Sequence, residues 1–317
     1  MKLQTKIVLK KEERNPISYS SKILLLGSCF SENIGDQLNY FKFQTIQNPF
    51  GILFHPKAIK TLIAKAIHEC VYTAKELVFQ NERWHCFDAH SSLSSVDKKE
   101  ALNHVNSAIS ATKKALKEAN HLVITLGTSW VYRDIATDCI VANCHKIPQK
   151  KFSKELLTVD EVTANLEEIV TLVKSVNPTI NMIFTVSPVR HLKDGFVENT
   201  LSKSHLIAGI HQLLNSSHEQ LHYFPSYEIM MDELRDYRFY EEDMIHPNTT
   251  AIRYIWERFL ATWIDESTTE TMQEIDSIQK GMTHRPFNID SLQHQKFLKN
   301  LSEKSAKIER TYSFIKF

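Results

Sequence analysis

A chain of 317 residues, 42% hydrophobic and 24% charged, is long enough to bury a large core. Its 38 Lys plus Arg against 37 Asp plus Glu leave a formal charge of +1, which excludes the broad basic field that nucleic acid or an anionic membrane surface would read. No apolar run approaches the roughly 20 residues that span a bilayer, and the opening MKLQTKIVLKKEERNP threads charges where a secretory signal needs an apolar core, so a cytoplasmic protein with no membrane partner is expected.

In chain order, short apolar runs read as buried strands: KILLL (22–26), HLVITL (121–126), INMIFTV (180–186) and LHYF (221–224). Between them, residues 57–70, 98–119, 154–176 and 197–215 place apolar side chains at three- and four-residue intervals, the spacing of one helix face. Strands alternating with helices imply parallel pairing with right-handed crossovers, hence an α/β fold built as a three-layer α/β/α sandwich with a mainly parallel sheet. Two regions break the rhythm. Residues 77–96, LVFQNERWHCFDAHSSLSSV, suggest an inserted hairpin or flap; beyond residue 264 the pattern turns polar and helical. The expected organisation is therefore a main domain over 1–264 and a C-terminal helical extension over 265–317.

Two stretches carry chemistry. In LLLGSCFSENIG (24–35) an apolar run stops at Gly27 and is followed by Ser28 and Cys29, either of which can attack a carbonyl. Ligands of parallel sheets gather at the carboxyl ends of the strands, where this turn falls. In YEEDMIHPN (240–248), Asp243 and His246 stand three apart, so the carboxylate can fix one ring nitrogen and leave the other facing a nucleophile. The five cysteines, Cys29, Cys70, Cys86, Cys139 and Cys144, are odd in number and contain no Cys-x-x-Cys pair, so free thiols are expected.

A strand-terminal Gly-x-Ser-like block near one end and Asp-x-x-His-Pro near the other resembles the SGNH (GDSL-type) hydrolases, whose sheet is flavodoxin-like. More closely, GSCFSENIG resembles the signature of the GSCFA family, and the likeness takes in NPFGILFHP (48–56), ITLGTSWVY (124–132), SPVRHLKDG (187–195), residues 224–248 and HRPFN (284–288). The resemblance implies an acyl-ester hydrolase with a covalent acyl-enzyme. Gly27 on the superfamily glycine puts Cys29 at the nucleophile position, with Ser28 as the alternative after a one-residue shift. His246 becomes the base and Asp243 its orienter. A thiol there would begin a helix, whose dipole, with His246, would favour thiolate. The implied oxyanion donors are the backbone of Cys29, Gly51, and Ser129, which stands where the superfamily has asparagine.

Arg190 and His191 follow a strand and Pro188, which places them on the rim that Cys29 occupies, as candidates for substrate binding. Asp88 and His90 in the flap are candidates for substrate contact against a plain solvated loop. Arg235, Asp236 and Arg238 read as a network that positions the Asp243 turn. The 15 histidines include no His-Glu-x-x-His or similar ligand pair, so no metal is expected, and with only seven glycines no phosphate or dinucleotide loop, hence no cofactor. The expected partner is a small-molecule or carbohydrate ester. An acyltransferase on the same machinery, and a non-catalytic ligand-binding protein that keeps the fold, are the alternatives.

Overall fold

The computed structural model describes residues 5–215 and 219–317. Its centre is a five-stranded parallel sheet: β1 (Lys22–Gly27), β2 (Gln44–Gln47), β5 (His121–Leu126), β9 (Asn181–Val186) and β10 (Leu221–Phe224), ordered β10-β9-β5-β1-β2. Every residue of β5 and β9 is buried, as expected for strands covered on both faces. Successive side chains of a strand point to opposite faces, and the core divides accordingly. Leu24, Leu26, Leu122, Ile124 and Phe184 pack under α2 (Pro56–Ile67), α3 (Lys98–Glu118), α4 (Val159–Val176) and α5 (Phe196–Leu214). Ile23, Leu25, Val123 and Ile183 pack under α1 (Cys29–Tyr40) and, past the single turn α6 (Ser226–Glu228), α7 (Thr249–Trp263), joined by α8 (Thr269–Thr283) and α9 (Leu292–Thr311). These are the three layers of an α/β sandwich with C-terminal helices packed on its second face.

The strand order reverses between β1 and β5, and such a switch point opens a crevice at the carboxyl ends of the strands. Two small antiparallel sheets lie outside the main one. The first is the hairpin of β3 (Leu77–Gln80) and β4 (Arg83–Cys86); the second is β7-β6-β8, from Trp130–Asp134 (β6), Cys139–Val141 (β7) and Phe152–Leu156 (β8). Helical periodicity placed a helix from residue 154, but Phe152–Leu156 pair with β6 and α4 begins only at Val159, where Thr158 and Glu161 form a reciprocal capping box. Among the described residues no helix is long and apolar enough to cross a membrane.

Gly27 closes β1 at φ +131°, a conformation that L side chains rarely adopt, and a Cβ there would stand 2.1 Å from the carbonyl oxygen of Thr125 on β5. Gly27→Ala is therefore expected to lower unfolding stability by about 3 kcal/mol, read as a reduced urea midpoint; an unchanged midpoint would show that the turn tolerates a side chain.

Candidate active site

The chain leaves β1 through Ser28 and enters α1 at Cys29. Ser28 is fully buried: its Oγ accepts from the Phe30 amide at 3.4 Å, its N–H donates to the Thr125 carbonyl at 3.0 Å, and it serves as the N-cap of α1. Cys29 is half-buried, and the amides of Cys29 and Phe30 are within hydrogen-bonding reach of its thiol. Of the two candidate nucleophiles, only Cys29 keeps access to solvent. Its pKa is nevertheless raised, not depressed as the helix position had suggested. Burial acts first, Glu32 in the first turn of α1 adds to it, and the opposing charge comes from Lys203 rather than from His246.

Lys203 had not been foreseen. It lies on α5, is 1% exposed, and donates from Nζ to the carbonyls of Gly127 (2.7 Å) and Ser187 (2.8 Å), just past the carboxyl ends of β5 and β9. Buried charge is tolerated only when it is paired or hydrogen-bonded, and burial brings this amine down to about 7. A signal was present in the sequence: Asn199, Lys203, Leu206, Ile210 and Leu213 share the buried stripe of α5, so the lysine stands on a core face.

Asp243 and His246 meet as their spacing implied. Asp243 Oδ1 accepts from the amides of Ile245 (2.8 Å) and His246 (3.0 Å), while Oδ2 lies 2.6 Å from His246 Nδ1. These bonds hold the Asp243 carboxyl down at about 2. Asn248 fixes the turn from behind, donating to the carbonyls of Arg238 and Tyr240 and capping α7. Asp236 pairs with Arg238 and Arg235 with Asp232, two separate ion pairs, and the run meets the turn through the Arg238 carbonyl that Asn248 holds. The Arg190 amide donates to the Ile245 carbonyl at 3.2 Å, which ties the turn to the loop after β9. Among the described residues no hydrogen bond joins His246 to Cys29 or Ser28. The link is indirect: His191 is in electrostatic range of His246 and of Lys203, and Lys203 of Cys29.

The remaining candidates divide. His191 packs edge-on against Phe54, its Nε2 is buried without a hydrogen-bond partner, and it stays neutral down to about 3. Arg190 lines a cavity beside it. Gly51, at φ +71°, lies against His90, but its N–H donates to the Asn48 carbonyl at 2.7 Å and is engaged in a turn. The Ser129 hydroxyl is fully buried and bonds Ser202 on α5. Asp88 accepts from Lys65 and Tyr72, and His90 caps a short turn through Ser92. Asn48 is a further residue that the sequence had not singled out: its Oδ1 accepts from the Gly27 amide at 2.9 Å, clamping the end of β1. Among the described residues no group of three or more His, Cys, Asp or Glu is placed to hold a metal ion.

The model of the GSCFA family matches residues 22–259, and that of the GSCFA domain protein C-terminal domain matches residues 275–317. No curated protein matches the chain. Among solved structures, an acetyl xylan esterase (Est2A) from the rumen bacterium Butyrivibrio proteoclasticus is similar with a TM-score of 0.37 and 10% identity, over 85% of this chain and 66% of that one.

Around the site several histidines are buried and neutral. His55 caps α2 with Nδ1 and lies 3.1 Å from the Val141 carbonyl through Nε2, and His145 bonds the Cys86 carbonyl; burial lowers both to about 4. A histidine whose folded pKa is depressed takes up its proton first in the unfolded chain. Stability is then intact above about 6.5 and lost as pH falls toward 4, by up to about 1.4 kcal/mol per pH unit for each group. His191→Gln is expected to make the fall in urea midpoint between pH 6 and pH 5 shallower, and an unaltered slope would show that His191 is not held neutral.

Proposed function

For a chain that belongs to the GSCFA family, we propose an SGNH-type acyl-ester hydrolase that works through a thioester on Cys29, with a small-molecule or carbohydrate ester as substrate. The observation that supports this reading is the 2.6 Å bond between Asp243 and His246 Nδ1, which leaves Nε2 free on a loop tied to the same strand-end rim from which Cys29 emerges. A carboxylate on Nδ1 fixes the tautomer in which Nε2 is the base and stabilises the imidazolium that forms.

In this reading the loop over residues 240–247 draws in on substrate binding, because catalytic hydrogen bonds are often long without ligand. His246 Nε2 takes the thiol proton as Sγ attacks the ester carbonyl. The carbon–oxygen bond then breaks, and the proton passes to the departing alcohol. Water attacks the thioester, its proton goes to His246 and then to sulfur, and the acid leaves. The first-turn amides of α1 face the growing negative charge, while the Ser129 hydroxyl is committed to Ser202. Lys203, which burial brings to about 7, supplies a partial positive charge near the thiol at neutral pH, opposing Glu32.

Intact-mass spectrometry after treatment with p-nitrophenyl acetate tests the reading. An acetyl adduct mapped to Cys29, absent from Cys29→Ala and retained in Ser28→Ala, is the expected result; an adduct on Ser28 would transfer the nucleophile there, and none on either would favour the binding-protein alternative. His246→Ala should slow adduct formation at least about a hundredfold, the usual scale for a general base.

Iodoacetamide gives a second check. Because Lys203 keeps part of its positive charge at neutral pH and favours the Cys29 thiolate there, Lys203→Met should lower the neutral-pH part of the Cys29 alkylation profile while the profile of the exposed Cys70 is unaltered. Coincident profiles for the variant and the parent would remove Lys203 from this role.

A further inference from the structure

Beside the Asp243 turn lies a cavity of about 420 Å³, within the range of small-molecule sites, lined by Arg190, Phe196, Met231, Tyr237, Tyr240 and Met244 among others. Its walls are mainly apolar, with Arg235 and Asp236 also in the lining, and only partly covered: Phe196 is 64% exposed, Tyr237 77% and Met244 48%. Large exposed apolar side chains around one concavity are what a ligand or partner covers.

The cavity is also short of one negative charge. Its lining carries Arg190 and Arg235 against one acid, Asp236, which is paired with Arg238 at 2.9 Å, while nearby Asp232 pairs with Arg235 at 3.2 Å and Asp243 with His246 at 2.6 Å. Arg190 has no acid within ion-pair distance among the described residues. Its Nε is buried without a partner, and Nη1 meets only the Met231 sulfur, at 3.5 Å. Tyr240 bonds it as a neutral phenol, and Phe196 offers its ring face 5.9 Å away. Lys203 sits in electrostatic range of Arg190, which adds to the positive character of this side. A guanidinium presents a planar fork of donors that matches a carboxylate.

We infer that this cavity binds a carboxylate carried on an apolar stem, with Arg190 as the anchor, so that the substrate class is an ester bearing a second, anionic group. The word substrate rests on the hydrolase reading above; the ligand class rests on the cavity and on Arg190. Methionines at 231 and 244 can repack around stems of different shape.

Calorimetric titration at pH 7.5 with 4-phenylbutyrate and with 4-phenylbutanol separates charge from apolar area. The carboxylate should bind about tenfold or more tightly than the alcohol, the scale of a charge-assisted hydrogen bond, and Arg190→Gln should bring the ratio close to one. Arg190→Lys, which keeps the charge, should preserve a ratio of several fold and decides the matter if the glutamine variant does not fold. Equal binding of the two probes by the parent, or a ratio that survives Arg190→Gln, overturns the inference. On Cys29, p-nitrophenyl glutarate monoester should acylate faster than p-nitrophenyl pentanoate of equal length. Preferential binding of the carboxylate probe with no adduct from either ester would leave the ligand class standing and defeat the hydrolase reading instead.

Discussion

The turn from β1 into α1 is the constraint on which the site depends. Gly27 must pass the Thr125 carbonyl at a distance that admits no Cβ, and four hydrogen bonds lock it there: Asn48 Oδ1 on its N–H, the Leu53 amide on its carbonyl, and the Ser28 amide and hydroxyl to Thr125 and Phe30. The consequence is a chain reversal with one outcome. Ser28 turns inward as a cap, and Cys29 becomes the first helical residue, half-buried at the end of the strand beside which the strand order reverses.

The electrostatics around that sulfur keep charge low at rest. Burial and Glu32 hold the thiol protonated, burial holds Lys203 near its midpoint at neutral pH, and His191 stays uncharged between Lys203 and His246. Such a site avoids the cost of a buried, unpaired ion in the resting protein. The groups within reach of the sulfur are two backbone amides and the Lys203 amine, which carries part of a charge at neutral pH. The exposed Asp243 and His246 pair, by contrast, sits in water and is organised by its own turn.

The parallel sheet was legible because β1, β5 and β9 are predominantly apolar runs and the helices between them have clear three- and four-residue spacing. The Asp243 and His246 contact was legible because it is local, set within a single turn. What escaped notice depends on long-range pairing. β2 is a half-exposed edge strand, QTIQ, with no apolar run to mark it, and FSKEL of β8 reads as the start of a helix until its partner β6 is known. Ser129 matched the position of a donor in sequence, yet its orientation is decided by Ser202, 73 residues further along the chain. The depressed thiol pKa was inferred from the helix terminus, a local effect, and was outweighed by burial, which is a property of the whole fold.

The second face of the sheet carries a requirement about synthesis. Ile17 forms a parallel bridge with Ile264 and shares one buried cluster with Ile308 and Ile315, while the Tyr19 ring meets that of Tyr312 at a tilt and Tyr40 on α1 bonds Asp276 on α8. The α1 helix that begins at Cys29 therefore shares its packing with residues 17–19 on one side of it in sequence and residues 264–315 far along on the other. On the ribosome, the face formed by α2 to α5 has all its helices once residue 214 has emerged, whereas the opposite face stays open until α7, α8 and α9 and the segment through Ile315 follow. During that interval α1 is without its covering and the nascent chain displays apolar surface, so the C-terminal helices serve as the closing step of folding, and a chain cut short before them would offer that surface to chaperones and proteases.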